Sequence, residues 1–178
     1  MRLLFIGVQG SGKSTQAEIF AQMLGVPHIQ SGQLVRNEAK RNTELGQRAR
    51  NLIEHGHLAP DDLVADLVRA RLSNKDTSEG FVLDGYPRHI KQAQNFMPDL
   101  DMVINLVLNR KEAIKRLVLR KRADDTPEAI KTRIDTFESR TKPLISDLRK
   151  RFKVVNIDAS PSIPEVTELI SSAIYDKN

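Results

Sequence analysis

Residues Gly7-Val8-Gln9-Gly10-Ser11-Gly12-Lys13-Ser14 match the pattern G-x-x-x-x-G-K-S/T. That spacing suits phosphate chemistry. Glycines let backbone N–H groups converge on phosphate oxygens without Cβ obstruction. A helix N-terminus behind the loop adds a favourable dipole. Lys13 can then reach the β- and γ-phosphates of a nucleoside triphosphate, and the Ser14 hydroxyl can ligand Mg²⁺.

A second candidate segment is Asp84-Gly85-Tyr86-Pro87-Arg88. An acid at the carboxyl end of a strand beside a phosphate loop is placed to hold Mg²⁺ or its waters. Pro87 fixes the chain, and Arg88 offers a planar fork to a phosphate. By itself the Asp-Gly pair reads equally well as a turn. Ser31-Gly32 precedes a helix carrying Arg36; alone, Ser31 reads as an N-cap and Arg36 as a solvated charge. The four histidines, His28, His55, His57 and His89, read as loop or helix-surface residues with no neighbouring Ser or Asp to suggest a triad.

The elements that must position these residues are legible in the hydropathy pattern. Leu3–Ile6 is a short apolar run ended by Gly7 and reads as a buried strand. Ala17, Phe20, Ala21 and Leu24 lie on one helical face, closed by Gly25 and Pro27. Further strands are expected at Pro27–Gln30, Phe81–Leu83, Met102–Val107 and Val154–Ile157. Helices are expected at 33–41, 44–55, 61–73, 89–97, about 110–120, about 127–150 and 162–175. Strands alternating with helices predict an α/β fold, a parallel sheet flanked by helices.

Composition narrows the function classes. A chain of 178 residues suits one domain with a substantial core. It has no cysteine, which excludes disulfides, thiolate catalysis and Cys-ligated zinc. No apolar run approaches the length of a membrane span. The opening MRLLFIGVQG is too short an apolar stretch for a signal peptide, so the expected compartment is the cytoplasm. The net charge is +5, with a basic cluster at 109–122 that would suit a polyanion, nucleic acid or nucleotide polyphosphate. Aromatics make up only 4%, which supplies stacking platforms for single strands poorly. A phosphate loop marks a triphosphate site and not a reaction, but the missing Asn-Lys-x-Asp signature argues against a GTPase.

Taken together, these segments resemble the adenylate kinases. The likeness runs nearly end to end: the loop followed by Thr15-Gln16, Ser31-Gly32-x-Leu34-x-Arg36, Glu44-Leu45-Gly46, Gly56-His57-Leu58, Asp84–Arg88 with Gln92, Arg116-x-x-x-Arg120, Arg122-x-Asp124-Asp125, Arg133 and Pro143-Leu144-Ile145. The resemblance implies a P-loop NTPase fold with a five-stranded parallel sheet, a helical AMP-binding insertion and a minimal lid. It divides the single domain 1–178 into a core (1–29, 60–119 and 127–178), an AMP-binding subdomain (30–59) and a vestigial lid (120–126).

It also implies the reaction, transfer of the γ-phosphoryl group of ATP to AMP, and the roles of residues. Gly10, Ser11, Gly12, Lys13, Ser14 and Thr15 would hold the ATP phosphates, with Arg116 and Arg120 over the ATP adenine and its phosphates. Arg36 and Arg88 would grip the AMP phosphate, and Lys13, Arg88, Arg122 and Arg133 would serve catalysis. Ser31 and Gln92 would read the AMP adenine, flanked by His57, Leu58 and Ala59; Gly85, Tyr86 and Pro87 would complete the acceptor site. Ser14 and Asp84 would hold Mg²⁺, partly through water, and no zinc is expected. The implied partners are ATP and AMP, with no nucleic acid and no membrane, and the implied state is a monomer. A kinase for another nucleoside monophosphate, a catalytically weak nucleotide sensor and a nucleic-acid binder remain as alternatives.

The chain departs from the family pattern in places. Gln9 and Ser14 replace a Pro and a Gly of the usual loop, Gln33 stands where an Asp near Mg²⁺ is frequent, and Ala159 replaces a common Gly. Only Lys121 separates Arg120 from Arg122, where the family has at least a short lid loop. Weaker exclusion of water is expected from this, with some ATP hydrolysis.

Overall fold

The computed structural model describes residues 1–54, 60–120 and 126–175, with the backbone alone for 51–54. Strand β1 (Arg2–Gly7) leads through the glycine-rich loop into α1 (Lys13–Leu24). Then follow β2 (His28–Gln30), α2 (Ser31–Ala39), α3 (Glu44–Glu54), α4 (Asp61–Leu72), β3 (Phe81–Asp84), α5 (Ile90–Asn95) and β4 (Met102–Val107). The chain closes with α6 (Arg110–Arg120), α7 (Pro127–Thr136), a π turn (Phe137–Thr141), α8 (Lys142–Leu148), β5 (Val154–Asp158) and α9 (Ile163–Tyr175).

The five strands form one parallel sheet, as the alternation of strands and helices predicts, in the order β2-β3-β1-β4-β5. Parallel pairing requires long crossovers, and the helices that supply them cover both faces. Side chains on β1 alternate accordingly. Leu4 and Ile6 enter a core with Ile29, Leu83, Val103 and residues of α2, α4 and α8, including Val35, Val68 and Leu144. Leu3 and Phe5 face the opposite core with Val82, Ile104, Ala17 and Phe20 of α1, and Val166 and Ile170 of α9. Each fully buried Leu or Phe contributes roughly 1.5–3 kcal/mol. A third, smaller cluster seats Val8 of the glycine-rich loop on Ala113 and Leu117 of α6 and Ile130 and Ile134 of α7.

This topology places the site. From β1 the chain crosses toward β2; from β3 it crosses the other way, past β1, to β4. The carboxyl ends of β1 and β3 therefore open onto one crevice, the position where open α/β sheets bind ligands. Register puts Phe5 of β1 beside Asp84, the last residue of β3, so the acid lies one strand spacing from the glycine-rich loop.

Three expectations need correction. The helix expected at 127–150 is not one α-helix: α7 passes into the π turn and then α8, which ends at Leu148. Pro143 explains the break, since it has no N–H to donate and its ring crowds the carbonyl of Ser139. Lys142 N–H bonds instead to the Phe137 carbonyl, five residues back. Ser31 is not an N-cap: it is the first residue of α2, and the extended Gln30 precedes it. His28 lies within β2 rather than in a loop; it is half-buried, and burial lowers its pKa despite the opposing pull of Asp84 and Glu18.

Candidate active site

The glycine-rich loop turns sharply out of β1. Gly10 and Gly12 take φ of +90° and +82°, a left-handed backbone that side chains disfavour. A Cβ on Gly10 would also approach the Ala113 carbonyl oxygen to 2.9 Å, so α6 packs against the loop as only glycine allows. At Gly12 the space is open, and backbone conformation alone selects the residue. Gly12 caps α1 with no side-chain hydrogen bond, and the first turn carries no acid. The N-terminal N–H groups of α1 are thus presented to an anion, with Lys13 as the first helical residue.

Ser14 Oγ donates a 2.5 Å hydrogen bond to Asp84 Oδ2. Asp84 is only 5% exposed, and its other oxygen, Oδ1, has no hydrogen-bond partner among the described residues. An ionised carboxylate oxygen buried in this way calls for a cation or ordered water. Hard oxygen donors from a hydroxyl and one carboxylate fit Mg²⁺, which keeps several waters and takes other ligands from phosphate.

A cavity of about 320 Å³ opens above these groups. Among the described residues its charged lining consists of Lys13, Arg36, Arg88, Arg120 and Arg133 against the single acid Asp84. Such an imbalance awaits a polyanion. Arg88 lines the cavity, open to water but crowded by protein. Crowding lowers its pKa, Asp84 opposes the shift, and the like charge of Arg133 adds to it. Two guanidinium groups held near each other are relieved by a phosphate dianion, which takes both as bidentate donors.

Around Arg88 the contacts are dense. Its Nε donates to the Gly85 carbonyl at 2.9 Å, its N–H donates to Gln92 Oε1 at 2.8 Å, and its own carbonyl accepts from Thr141 Oγ1 at 2.7 Å. The Gly85 carbonyl also accepts from Ser31 Oγ at 2.7 Å. The Tyr86–Pro87 peptide bond is cis. Arg36 Nη2 reaches Gln33 Oε1 at 2.8 Å, so the Gln that replaces an expected Asp acts as an acceptor for Arg36.

The expected residues divide into three groups. Lys13, Ser14, Ser31, Arg36, Asp84, Gly85, Pro87, Arg88, Arg120 and Arg133 line the cavity together. Gly10, Ser11, Gly12 and Thr15 belong to the loop and first turn that frame it. Other residues point elsewhere. Tyr86 is fully buried, its hydroxyl donating to the Gln92 and Phe96 carbonyls. Gln92 spends both amide atoms within the protein, accepting from Arg88 N–H and donating to Asp61 Oδ1 at 2.9 Å. Arg116 binds the Ala159 and Ser160 carbonyls, each at 2.8 Å, and so ties α6 to the loop after β5. His57, Leu58, Ala59 and Arg122 lie outside the described residues.

Much of the basic cluster at 109–122 is neutralised internally: Arg110 pairs with Asp135 and Glu138, and Arg116 with Glu112. His89 pairs with Asp61 at 2.9 Å, a neighbour the sequence pattern did not reveal. Sequence reasoning also missed Phe137 and Thr141, which line the cavity from the π turn. The one available signal was Pro143, which forbids a regular α-helix two residues later.

A family model described as adenylate kinase matches residues 5–153. The chain belongs to the adenylate kinase family. Adenylate kinase 1 of Nostoc sp. is 39% identical to it, over 97% of this chain and 98% of that protein. Adenylate kinases of Corynebacterium urealyticum and Thermobifida fusca are each 37% identical, covering 98% and 99% of this chain and 99% and 100% of their own lengths. Membership makes the chain an enzyme of the nucleoside monophosphate kinase class, with the P-loop NTPase fold that the five-stranded sheet displays. The adenylate kinase reaction is reversible phosphoryl transfer from ATP to AMP, and the cationic crevice is where two phosphate chains can meet.

Proposed function

We propose that the cavity binds ATP through the glycine-rich loop and AMP through Arg36 and Arg88, and transfers the γ-phosphoryl group between them. The observation that carries this reading is that Lys13, Arg36, Arg88, Arg120 and Arg133, from separate segments of the chain, line one cavity. A site for ATP alone has no use for the additional cations Arg36, from α2, and Arg88, from the segment after β3. The AMP phosphate is already an anion, so no general base is needed; positioning and charge neutralisation suffice. Lys13 and the α1 N-terminus hold the donor phosphates, Arg88 and Arg133 bracket the transferred group, and Arg120 covers the donor side. Arg122 is assigned to the same bracket, and Arg116 to the adenine end of ATP. Ser14 and Asp84 would hold Mg²⁺, which would supply neutralisation of the phosphate charge.

Ser31, buried in the cavity lining with its hydroxyl on the Gly85 carbonyl, is assigned to the AMP base together with Gln92 and the 57–59 segment. For Gln92 this role requires exchange of the Asp61 contact for the adenine edge, since its amide is engaged on both sides. Residues 30–59 are proposed to close over AMP as a subdomain and 120–126 to act as a minimal lid. No helix among the described residues is long and apolar enough to cross a membrane. We place the enzyme in the cytoplasm as a monomer.

The test is ADP formation from ATP, Mg²⁺ and each of AMP, GMP, CMP and UMP in turn. Rapid turnover with AMP alone is expected. Turnover with a different monophosphate would keep the chemistry and overturn the assignment of Ser31 and Gln92. ATP binding without turnover on any acceptor would overturn the reaction. Phosphate release without acceptor, measured alongside, reports how well the short lid excludes water.

A further inference from the structure

We propose that Thr141 is a positioning residue for phosphoryl transfer, acting on Arg88 through that residue's main-chain carbonyl. The inference rests on the reading of Arg88 as the grip on the acceptor phosphate.

Arg88 belongs to the irregular segment between β3 and α5, so no ladder or helix bond fixes its backbone. Two side chains do so instead. Gln92 accepts from its N–H at 2.8 Å and Thr141 donates to its carbonyl at 2.7 Å. With both polar groups of one peptide residue held, its φ and ψ are held, and with them the direction of the Cα–Cβ bond. The Gln92 contact is local, four residues along the chain. The Thr141 contact spans 53 residues and docks the arginine segment onto the helical unit of α7, the π turn and α8. Thr141 is 9% exposed, so water competes weakly for this bond.

The π turn explains how the hydroxyl reaches its target. Arg133, Phe137 and Thr141 follow one another at four-residue steps, and all three line the cavity. A plain α-helix advances about 40° beyond a full turn at each such step, so two steps would carry Thr141 ~80° away from Arg133. The wider turn at Phe137–Thr141 takes back part of that rotation and returns Thr141 to the cavity side. One helical unit thereby delivers Arg133, whose like charge pushes on Arg88, and the hydroxyl that restrains Arg88 from behind.

Thr141→Val removes the hydroxyl and keeps the shape. Leaving the Arg88 carbonyl without its donor should lower kcat/KM for AMP by about tenfold to a hundredfold. KM for ATP should stay within about twofold of wild type, because the donor side is untouched. Thr141→Ser, which restores the hydroxyl, should recover AMP efficiency to within about threefold. In an Arg88→Ala background, Thr141→Val should change AMP affinity by less than about twofold, since the guanidinium that the held carbonyl positions is gone. AMP efficiency unchanged in Thr141→Val would overturn the inference. So would equal losses for AMP and ATP that serine fails to rescue, or a full additional loss of AMP affinity in the Arg88→Ala background, which would mean direct substrate contact. Should the valine variant not fold, Thr141→Ala carries the same comparison. Failure of the underlying reading looks different: wild-type protein would then show no turnover with AMP.

Discussion

At the scale of single residues, the crevice separates groups that hold charge from groups that hold geometry. Lys13 and Arg88 reach the phosphates directly in the proposed complex, and single cations of this kind are worth ~10³–10⁵ in rate for phosphoryl transfer. Lys13→Ala and Arg88→Ala are each expected to lose several orders of magnitude of turnover in a coupled ADP assay while melting near the wild-type temperature. Near-normal rates in either variant would remove the residue from the site. Asp84 differs because it is buried and half of its carboxylate lacks a partner among the described residues. Asp84→Asn should raise the Mg²⁺ concentration needed for half-maximal activity, read from a magnesium titration at saturating ATP. The same substitution should cost little in thermal stability without the ion, since the carboxylate's desolvation cost is removed along with its charge. Gln92 and Arg116 show what residue types alone leave unsaid. A glutamine and an arginine suit nucleotide recognition, yet here the first is fastened to Arg88 and Asp61 and the second to Ala159 and Ser160. Side chains with several donors find protein partners as readily as ligands, and spacing along a chain does not distinguish the two.

At the scale of elements, the strands and their parallel pairing followed from apolar runs and Gly punctuation because a parallel sheet buries both faces and leaves little ambiguity; their order in the sheet did not. The glycine-rich loop was equally legible, since its backbone geometry demands glycine at fixed positions. Two further features were not. The start of α2 was hidden because Ser31 is a good N-cap type, but its hydroxyl is drawn away to the Gly85 carbonyl. The π turn was hidden because hydropathy averages over it: Ile130, Ile134, Leu144 and Leu148 all point inward as one amphipathic helix would require. A tertiary tie that hydropathy cannot show joins α1 to α9, where buried Gln16 donates to the Ile163 carbonyl and accepts from Thr167. Gln16→Leu would remove both hydrogen bonds and leave Thr167 Oγ1 bonded only to the Ile163 carbonyl, a loss of about 1–3 kcal/mol for the two bonds together. Chemical denaturation should show a lower midpoint with an unchanged slope. A midpoint equal to wild type would mean that the tie is dispensable.

At the scale of the whole molecule, two buried groups bound the pH range of stability. Burial holds the folded-state pKa of His28 below its ordinary 6.5, so the unfolded chain binds the proton more readily. Stability is therefore lost as pH falls below about 6.5. Burial pushes Tyr86 from 10.0 up to about 12, so the unfolded chain gives up its proton first. Stability is then lost as pH rises from about 10 toward 12. Thermal melts across pH should trace a plateau between these limits, and His28→Asn should flatten the acid limb. An acid limb identical in that variant would assign the loss to carboxylates instead. One further consequence belongs to the Gly85 carbonyl, which receives both Ser31 from α2 and Arg88 from the segment after β3. Every amino acid carries that oxygen, so no codon change can delete it. The junction between the two halves of the proposed acceptor site can therefore be cut only from its donor side: Ser31→Ala removes one of the two hydrogen bonds and Arg88→Ala the other. A change in the backbone itself, such as an ester in place of the Gly85–Tyr86 amide, would weaken both bonds at once while leaving every side chain in place.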